Sequence, residues 1–382
     1  MNPHPAMVTR LIERVNRRVD DLCREQGRKR LGFMEVCGTH TMAISAHGIR
    51  RAVDPRLRLL SGPGCPVCVT TQPEVDAALA LAHRPGLTVA TFGDMLRVPG
   101  GQGSLEAARA AGADVRVVYS ALDALRLAED LPGREVVFLG VGFETTAPTV
   151  AAAVLAARAD RVMNFTVLPL FKLIPPALRL IARDQRSRQG SRVVHAGRRT
   201  RARSAGVDGF ILPGHVSVII GTAPYKFLAA EFGLPAVVTG FEATDIIQAL
   251  WMLLVQLEQD PKVEIQYRRG VRPEGNPEAR RVMAEVFEPC PAGWREIGVI
   301  PGSGLRFRRA FRAFDAAARF GVKPGRQRRT ACRCGEVMLG IIGPLDCRLF
   351  GRGCRPETPV GPCMVSSEGA CAAWYKYERE DA

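Results

Sequence analysis

The stretch from Cys332 to Cys371 limits what this chain can fold into more than any other feature of the sequence. It contains six cysteines and seven glycines but little periodic apolar patterning, so it is not expected to build a hydrophobic core of its own. A segment of this kind needs another source of stability, and a bound metal centre is the usual one. The cysteines are Cys332, Cys334, Cys347, Cys354, Cys363 and Cys371.

The spacing of these cysteines favours an iron–sulfur cluster over zinc. Zinc sites favour paired C-x2-C knuckles, whereas this segment starts with a C-x-C pair and continues with wide gaps. Iron–sulfur clusters take four thiolates from irregular loops. Zinc remains an alternative, as does a set of simple buried thiols. Spacing alone leaves open which four cysteines are the ligands.

Length and composition describe a packed protein. At roughly 100–200 residues per domain, 382 residues predict two or three domains. A hydrophobic share of 47% and a charged share of 24% exclude a disordered or fibrous chain. No apolar run approaches the ~18 residues of a membrane span, and the first residues lack the apolar core of a signal peptide. We therefore expect a cytoplasmic location, where 11 cysteines indicate metal or thiol redox chemistry rather than structural disulfides.

The net charge of +15 is not a good argument for nucleic-acid binding. Arginine supplies most of the basic residues, which looks like a compositional bias, and the charge is concentrated in the basic stretch Arg183–Gly206. That stretch has no aromatic side chains on which bases could stack. A nucleic-acid partner is therefore not expected.

Short apolar runs alternate with helical patterns, which predicts βαβ units and a mainly parallel sheet. A Gly-Phe-Glu phrase occurs twice, in Val141–Thr146 and in Thr239–Thr244, each time between a strand and a helix. Two related parallel-sheet α/β lobes would explain the repeat. The predicted strands are Phe33–Val36, Leu57–Leu60, Leu87–Thr91, Val115–Val118, Val136–Leu139, Phe165–Leu168, Gly209–Leu212 and Ala236–Val238. The predicted helices run from about Met7 to Gly27 and over Thr41–Arg51, Pro73–His83, Ser104–Ala111, Leu122–Asp130, Thr146–Ala157, Pro175–Ala182, Thr222–Phe232, Thr244–Leu257, Glu278–Phe287 and Leu305–Phe320.

These patterns divide the chain into four expected parts. Residues 1–52 form an N-terminal helix and a cysteine motif that pack with the C-terminal region. Residues 53–133 form a first α/β lobe, and residues 134–258 a second lobe that carries the basic stretch 183–206. Residues 259–382 form a helical connector and the cysteine-rich region, so the fold is two α/β lobes plus a third region of helices and loops that carries the cluster.

Cys65 and Cys68 form a C-x-x-C motif between a predicted strand and a predicted helix. Two thiols at this spacing are close enough to form a disulfide, and a nearby helix N-terminus stabilises a thiolate. We interpret them as a redox pair, with half of a metal site as the alternative.

Three other strand ends carry polar side chains. In the motif Glu35–His40, Cys37 and His40 can converge on one ion or share a proton, although a buried cysteine and a capping histidine would have the same spacing. Thr91–Asp94 and Leu212–Ser217, the latter with His215, also follow predicted strands. Ligands bind at such ends in open α/β sheets, but helix caps occur there too.

In combination these motifs resemble the HypD family of [NiFe]-hydrogenase maturation proteins. The resemblance rests on Cys37–His40, Gly62–Cys68, Gly142–Thr146 and Pro213–Ser217, and it runs from about Phe33 to Tyr377. The cysteine-rich region fits the family's C-x14-C-x6-C-x16-C arrangement. The basic stretch Arg183–Gly206 departs from the pattern and looks like an insertion.

The resemblance implies an iron-binding redox scaffold rather than a turnover enzyme. Such a scaffold would work with a small HypC-type chaperone and assemble an iron that carries cyanide and carbonyl, Fe(CN)2CO. A HypE-type protein would donate the cyanide, and the hydrogenase large subunit would receive the iron later.

The resemblance also implies roles for single residues. Cys37 would ligate the iron, and Cys65 and Cys68 would be the redox pair. His40, Glu144 and His215 are further candidates for the chemistry. A [4Fe-4S] cluster would be held by Cys332, Cys347, Cys354 and Cys371, which leaves Cys334 and Cys363 as non-ligands.

The rival function is an iron–sulfur electron carrier or thiol reductase that acts on a small molecule. The cluster and the thiol pair would suit it, but no G-x-G-x-x-G nucleotide fingerprint is evident after a strand.

Overall fold

The computed structural model describes residues 5–187 and 206–379, apart from 324, 326 and 329, together with the strands Val194–His195 and Arg198–Arg199. Most of the basic stretch 183–206, which the sequence predicts to be an insertion, therefore lies outside the described residues. Within the described part of the chain, no helix is long and apolar enough to cross a membrane.

The described residues contain 13 strands and 16 α-helices. The strands are β1 (Leu31–Glu35), β2 (Leu57–Ser61), β3 (Leu87–Thr91), β4 (Val115–Val117), β5 (Glu135–Gly140), β6 (Phe165–Pro169), β7 (Val194–His195), β8 (Arg198–Arg199), β9 (Gly209–Pro213), β10 (Ala236–Thr239), β11 (Val263–Ile265), β12 (Phe287–Trp294) and β13 (Gly298–Phe307). The helices are α1 (Pro5–Glu25), α2 (Gly38–Ala46), α3 (Ile49–Ala52), α4 (Pro66–Val69), α5 (Gln72–Ala82), α6 (Leu105–Ala110), α7 (Ala121–Asp130), α8 (Ala147–Ala159), α9 (Ile174–Ser187), α10 (Gly214–Ile220), α11 (Phe227–Phe232), α12 (Ala243–Gln256), α13 (Pro277–Val286), α14 (Ala316–Phe320), α15 (Cys334–Met338) and α16 (Ala370–Tyr377). Short 3-10 helices cover Gly93–Arg97, Ala223–Tyr225, Arg309–Phe314, Pro344–Asp346 and Pro362–Met364.

Two parallel sheets form the frame and confirm the predicted α/β class. The first sheet has the strand order β11-β10-β9-β1-β2, and the second has the order β4-β3-β5-β6. Their central strands are apolar runs buried along their whole length, because helices cover both faces of a parallel sheet. All eight predicted strands are present, with ends that differ by no more than two residues.

The sheets do not follow the expected boundaries at residues 52/53 and 133/134. Strand β2 pairs with β1, so the segment before residue 53 shares a sheet with the segment after it. Strands β5 and β6 extend the sheet that contains β3. The chain then returns to the first sheet through β9, which pairs with β1. The first sheet is therefore built from two distant parts of the chain.

The predicted helix Leu305–Phe320 is wrong. Leu305 and Phe307 belong to β13, which pairs with β12 in an antiparallel ribbon. A 3-10 helix follows over Arg309–Phe314, and only Ala316–Phe320 forms an α-helix, with Asp315 as its N-cap. The side chains of Phe307, Phe311 and Phe314 are buried at helical spacing. Their periodicity imitated one continuous helix although the backbone changes conformation twice.

The carboxyl ends of the first sheet bring the predicted motifs together. Strand β1 leads into Cys37, β2 into Cys65, β9 into His215 and β10 into Gly240. The C-terminal region covers this edge, since α16 packs on α2 and the 3-10 helix Pro362–Met364 packs on α4. The fold thereby places the cysteine-rich region against the two other sulfur motifs.

Candidate metal and thiol centre

The turns that carry Cys37 and Cys65 touch each other. Their strands, β1 and β2, are neighbours in register, and the backbone N–H of Gly38 donates to the carbonyl of Gly64 at 2.9 Å. A Cβ atom added to Gly64 would overlap the backbone nitrogen of Cys37. Only glycine permits this approach, so the two motifs are held together by backbone packing.

Cys65 and Cys68 are joined as a disulfide with a Cα–Cα distance of 5.2 Å. Cys65 is the N-cap of α4, and the backbone N–H of Cys68 donates to its sulfur at 3.2 Å. Both sulfurs are buried. The close approach that the C-x-x-C spacing predicts is present, and redox cycling of the pair stays a prediction.

Cys37 is a buried thiol at the start of α2. Burial and then the Glu368 carboxylate raise its pKa to about 12, while the backbone N–H groups of His40 and Thr39 act in the opposite direction. Glu368 is fixed beside this turn because Thr39 donates to its Oε1 at 2.8 Å. At neutral pH the free side chain is therefore a thiol, and a cation is needed to stabilise its thiolate.

His40 is fully buried and carries an unpartnered nitrogen. Its Nε2 lies 2.9 Å from the carbonyl oxygen of Gly240 and 3.2 Å from that of Thr239. Carbonyl oxygens only accept, so Nε2 carries the proton and Nδ1 has a free lone pair. Among the described residues nothing hydrogen-bonds to this Nδ1. Burial lowers the pKa of His40 to about 4, which keeps the ring neutral.

His215 lies on the same side of the site as His40. Its ring stacks on Phe241 with 3.9 Å between centroids, and the ring of His40 also stacks on Phe241, with 5.0 Å between centroids. Burial lowers the pKa of His215, while Glu368 raises it. The structure thus brings together Cys37, His40 and His215, three of the predicted site residues.

Glu144 lies in a different environment. Its Oε1 accepts from the backbone N–H of Ile174 at 3.0 Å, at the start of α9. Burial raises its pKa to about 8. The hydrogen bonds of Glu144 thus tie it to α9 and not to the Cys37 turn.

Glu35 is a buried acid to which the sequence assigned no role. Thr41 donates to its Oε1 at 2.7 Å, and the guanidinium of Arg50 lies 3.9 Å away. Burial raises its pKa to about 7, with Arg50 lowering it. Glu35 supports the start of α2 from inside the sheet, directly beneath Cys37.

The six cysteines of the C-terminal region line one hollow. Among the residues that the structure describes, no acidic or histidine side chain lines it, and Arg333, Phe350 and Met364 are among the other lining residues. The neighbouring Cys334 thiol and burial raise the pKa of Cys332. Burial and then the surrounding thiols raise the pKa of Cys371. The predicted ligands and the two predicted non-ligands, Cys334 and Cys363, all face this hollow.

The chemistry of this donor set fits an iron–sulfur cluster. Within the part of the chain that the structure describes, no three cysteine, histidine or acidic side chains converge as a single metal ion requires. A four-iron cluster is wider than one ion, so the thiolates that hold it stand further apart. Several thiols, with no carboxylate among the described residues of the lining, are the donor set that such clusters take.

Arg295 adds a buried positive charge beside this hollow. It is 2% exposed, its Nη2 donates to the carbonyl of Pro99 at 3.0 Å, and its Nη1 has no hydrogen-bond partner among the described residues. Hydrogen bonds among the thiols have the largest effect on the pKa of Cys332, Cys334 and Cys363, and the Arg295 charge has a smaller effect that lowers all three pKa values. A buried cation at this position favours the thiolate form.

One short segment of the C-terminal region touches all three sulfur sites. Cys363 lines the hollow, Ser366 contacts the sulfur of Cys65 at 3.3 Å, and Glu368 binds the Cys37 turn through Thr39. We call Cys363–Glu368 the strap. The motifs in the sequence did not point to Ser366, Glu368 or Arg295. The one signal for Ser366 and Glu368 is the polar run Ser366–Glu368 shortly after Cys363.

The family model described as "HypD: Hydrogenase formation hypA family" matches residues 7–378 of this chain. The chain is 46% identical over 356 residues to hydrogenase maturation factor HypD2 of Bradyrhizobium diazoefficiens, covering 92% of this chain and 90% of that protein. It is 43% identical over 380 residues to hydrogenase maturation factor HypD of Rhodobacter capsulatus (98% and 96% covered). Over 387 residues it is 42% identical to hydrogenase maturation factor HypD of Escherichia coli strain K12 (99% and 97% covered).

Proposed function

The chain belongs to the HypD family of hydrogenase maturation factors, and from this premise we propose that it is an iron-binding redox scaffold. With a HypC-type chaperone it assembles the Fe(CN)2CO unit of a [NiFe]-hydrogenase, with cyanide from a HypE-type donor. The iron is cargo that passes on to the hydrogenase large subunit. The work is done in the cytoplasm.

The strap is the observation that carries this proposal. Its contacts connect the Cys37 turn, the Cys65–Cys68 pair and the sulfur hollow over a few residues. A protein that needs to bind a metal and exchange electrons at the same place requires these groups to be adjacent. Three separate sulfur motifs, brought to one edge of a sheet from opposite ends of the chain, support that combined role.

Cys37 is the proposed ligand of the cargo iron. Its thiolate is a soft donor suited to iron that carries cyanide and carbonyl. Burial and Glu368 keep the free Cys37 side chain protonated. Binding of the iron cation to the Cys37 sulfur therefore displaces this proton. The free Nδ1 lone pair of His40 can accept a hydrogen bond from the Cys37 thiol before the iron binds.

The proposed cluster ligands are Cys332, Cys347, Cys354 and Cys371. When bound, a [4Fe-4S] cluster supplies single electrons. The chain's own contribution is a buried sulfur lining and the Arg295 charge, which stabilises an anionic centre. Single Cys→Ala changes at these four residues should abolish the visible absorbance of the cluster, whereas Cys334→Ala and Cys363→Ala should retain it. Equal bleaching in the latter two would make the ligand assignment wrong.

Anaerobic co-purification with a tagged HypC-type partner tests the scaffold role. We expect the complex to contain iron beyond that of the cluster and to bind a HypE-type protein. Cys290→Ala, at a half-buried cysteine outside the sulfur sites, is the matched control and should behave like the wild type. A chain that binds neither partner but reduces small disulfides would instead be a free-standing thiol reductase.

A further inference from the structure

A series of polar contacts runs from Cys65 towards the outside of the protein. Ser366 Oγ lies 3.3 Å from Cys65 Sγ and donates to Asp94 Oδ2 at 3.0 Å. Asp94 follows β3 in the second sheet, at one of the polar strand ends predicted from the sequence, and the proposed function gives it no role. The contact therefore joins three distant parts of the sequence at the sulfur of a proposed redox pair.

The direction of the Ser366 hydroxyl is fixed by its neighbours. A carboxylate can only accept, so the hydroxyl hydrogen points at Asp94. The backbone N–H of Glu368 donates to Ser366 Oγ at 3.2 Å, which occupies one lone pair. The remaining lone pair faces Cys65, whose thiol, when reduced, would donate to it. Ser366 is thus arranged to take a hydrogen from Cys65 while it gives its own to Asp94.

The residues in this series of contacts become more exposed from Cys65 to Asp94. Cys65 and Ser366 are buried, and Ser366 is 1% exposed, so water cannot reach the sulfur freely. Asp94 is half-buried and is held by Ser367, which donates to the same Oδ2 through its backbone N–H at 3.0 Å and its hydroxyl at 3.1 Å. Water can therefore reach Asp94, whereas the described contacts connect Cys65 to Asp94 through Ser366.

We propose that Ser366 and Asp94 form the proton path to Cys65 when the Cys65–Cys68 disulfide opens and closes. This inference rests on the proposed redox function of that pair and adds the residues that move one of its protons. No role in binding the iron or the cluster is assigned to either residue.

Reduction of the Cys65–Cys68 disulfide by a small dithiol shows where the electrons and protons go. The Cys65–Cys68 bond breaks, the two sulfurs of the dithiol join in a new disulfide, and two electrons pass to the protein sulfurs. Each protein sulfur takes up one proton, and the dithiol releases two to solvent. The proton for Cys65 comes from Ser366, which is replenished through Asp94; closing the disulfide reverses these transfers.

The test measures the rate at which dithiothreitol reduces the disulfide in the full-length protein. The new thiols are alkylated and counted by mass spectrometry, and the rate is measured in H2O and in D2O. We expect Ser366→Ala and Asp94→Asn to slow the reaction roughly tenfold, below the full effect of a positioned proton carrier, and to reduce the ratio of the two rates. Ser366→Thr, which keeps the hydroxyl, should restore both. A purely structural role of Ser366 would not change the isotope ratio.

Ser104→Ala is the matched control, because the Ser104 hydroxyl caps α6 by accepting from the backbone N–H of Ala107 and takes no part in the described contacts around Cys65. It should react within about twofold of the wild type, well short of the loss expected for a proton carrier. Wild-type rate and isotope ratio in Ser366→Ala would overturn the proposal; if that variant does not fold, the same result in Asp94→Asn would do so. A wild-type pair that never opens and closes would instead refute the redox function, so the two failures are distinguishable.

Discussion

Glu144 is a buried carboxyl group that links the stability of the protein to pH. Burial raises its pKa from the usual 4.5 to about 8. Below pH 4.5 both the native and the unfolded chain hold the proton. Between pH 4.5 and pH 8 the unfolded chain releases this proton and the native chain keeps it, so the free energy of unfolding falls as pH rises. The stabilisation that the protonated Glu144 provides is lost as the pH passes through 8.

Glu144→Gln should remove this dependence. We expect the free energy of unfolding of the variant, relative to the wild type, to increase between pH 5 and pH 8.5 in urea titrations. The amide of the variant cannot ionise. The wild-type carboxyl group must either stay protonated in the folded protein or be buried as a charged carboxylate, which is costly. Parallel pH profiles of the two proteins would show that Glu144 is ionised in the native state.

At the residue scale, the sequence was informative where chemistry coincides with a strand end. Cys37, Cys65 and His215 follow apolar strands, and parallel strands collect their carboxyl ends at one edge of a sheet. Ser366 could not be assigned in this way, because it meets Cys65 across 301 positions of sequence. Such a contact depends on tertiary packing that no local pattern encodes.

At the element scale, Gly64 determines how closely the β1–α2 and β2–α4 turns approach. Gly64→Ala should lower the free energy of unfolding by about 1–3 kcal/mol, the range for overpacking at a tight contact, because the added Cβ would overlap the Cys37 backbone. Chemical denaturation measures the change. Gly133→Ala is the control, since a Cβ at Gly133 meets no atom within 4 Å; equal stability of both variants would contradict the tight contact.

Gly361 has the corresponding role at the sulfur hollow. A Cβ at Gly361 would overlap the sulfur of Cys332, so Gly361→Ala should lower the iron and acid-labile sulfide bound per chain after reconstitution. In the same segment, a Cβ at Gly353 makes only an ordinary contact of 3.5 Å with Leu349. Gly353→Ala should therefore load normally, and a Gly361→Ala variant that loads equally well would contradict Cys332 as a ligand.

The elements themselves were largely predictable, for a physical reason. Buried parallel strands such as β3 and β5 are continuous apolar runs between helical patterns, and both were predicted within one residue at each end. The region after Phe287 was not, because the antiparallel ribbon β12–β13 contains Pro and Gly and alternates irregularly between buried and exposed residues. There, three phenylalanines at helical spacing outweighed the strand signal.

At the scale of the whole molecule, the order of the sheets could not be read from the sequence. The first sheet takes β1 and β2 from the N-terminal part and β9–β11 from beyond the second sheet. Local patterns specify strands but not their partners, so the repeated Gly-Phe-Glu phrase suggested lobes of consecutive residues. The interleaved arrangement is what allows the C-terminal strap to reach the motifs of β1 and β2 together.

The interleaved sheet order also places the proposed iron ligand and the proposed cluster site in different parts of the chain, so a mutation can affect one without the other. Cys37 lies at the carboxyl edge of the first sheet, whereas the described residues that line the C-terminal hollow come from one continuous region. Loss of the Cys37 sulfur should therefore leave the melting transition, the cluster absorbance and binding of the HypC-type partner close to the wild type. His40→Ala should weaken iron binding more than folding.

The central claim is that Cys37 holds the iron, and infrared spectroscopy of the anaerobically purified complex with the HypC-type partner tests it most directly. The wild-type complex should show cyanide and carbonyl stretching bands, because both ligands are bound to the iron. Cys37→Ala should lose these bands while it retains the cluster and the partner, and Cys290→Ala should keep them. Bands of full intensity in Cys37→Ala would contradict the account and would leave the partner protein to hold the iron alone.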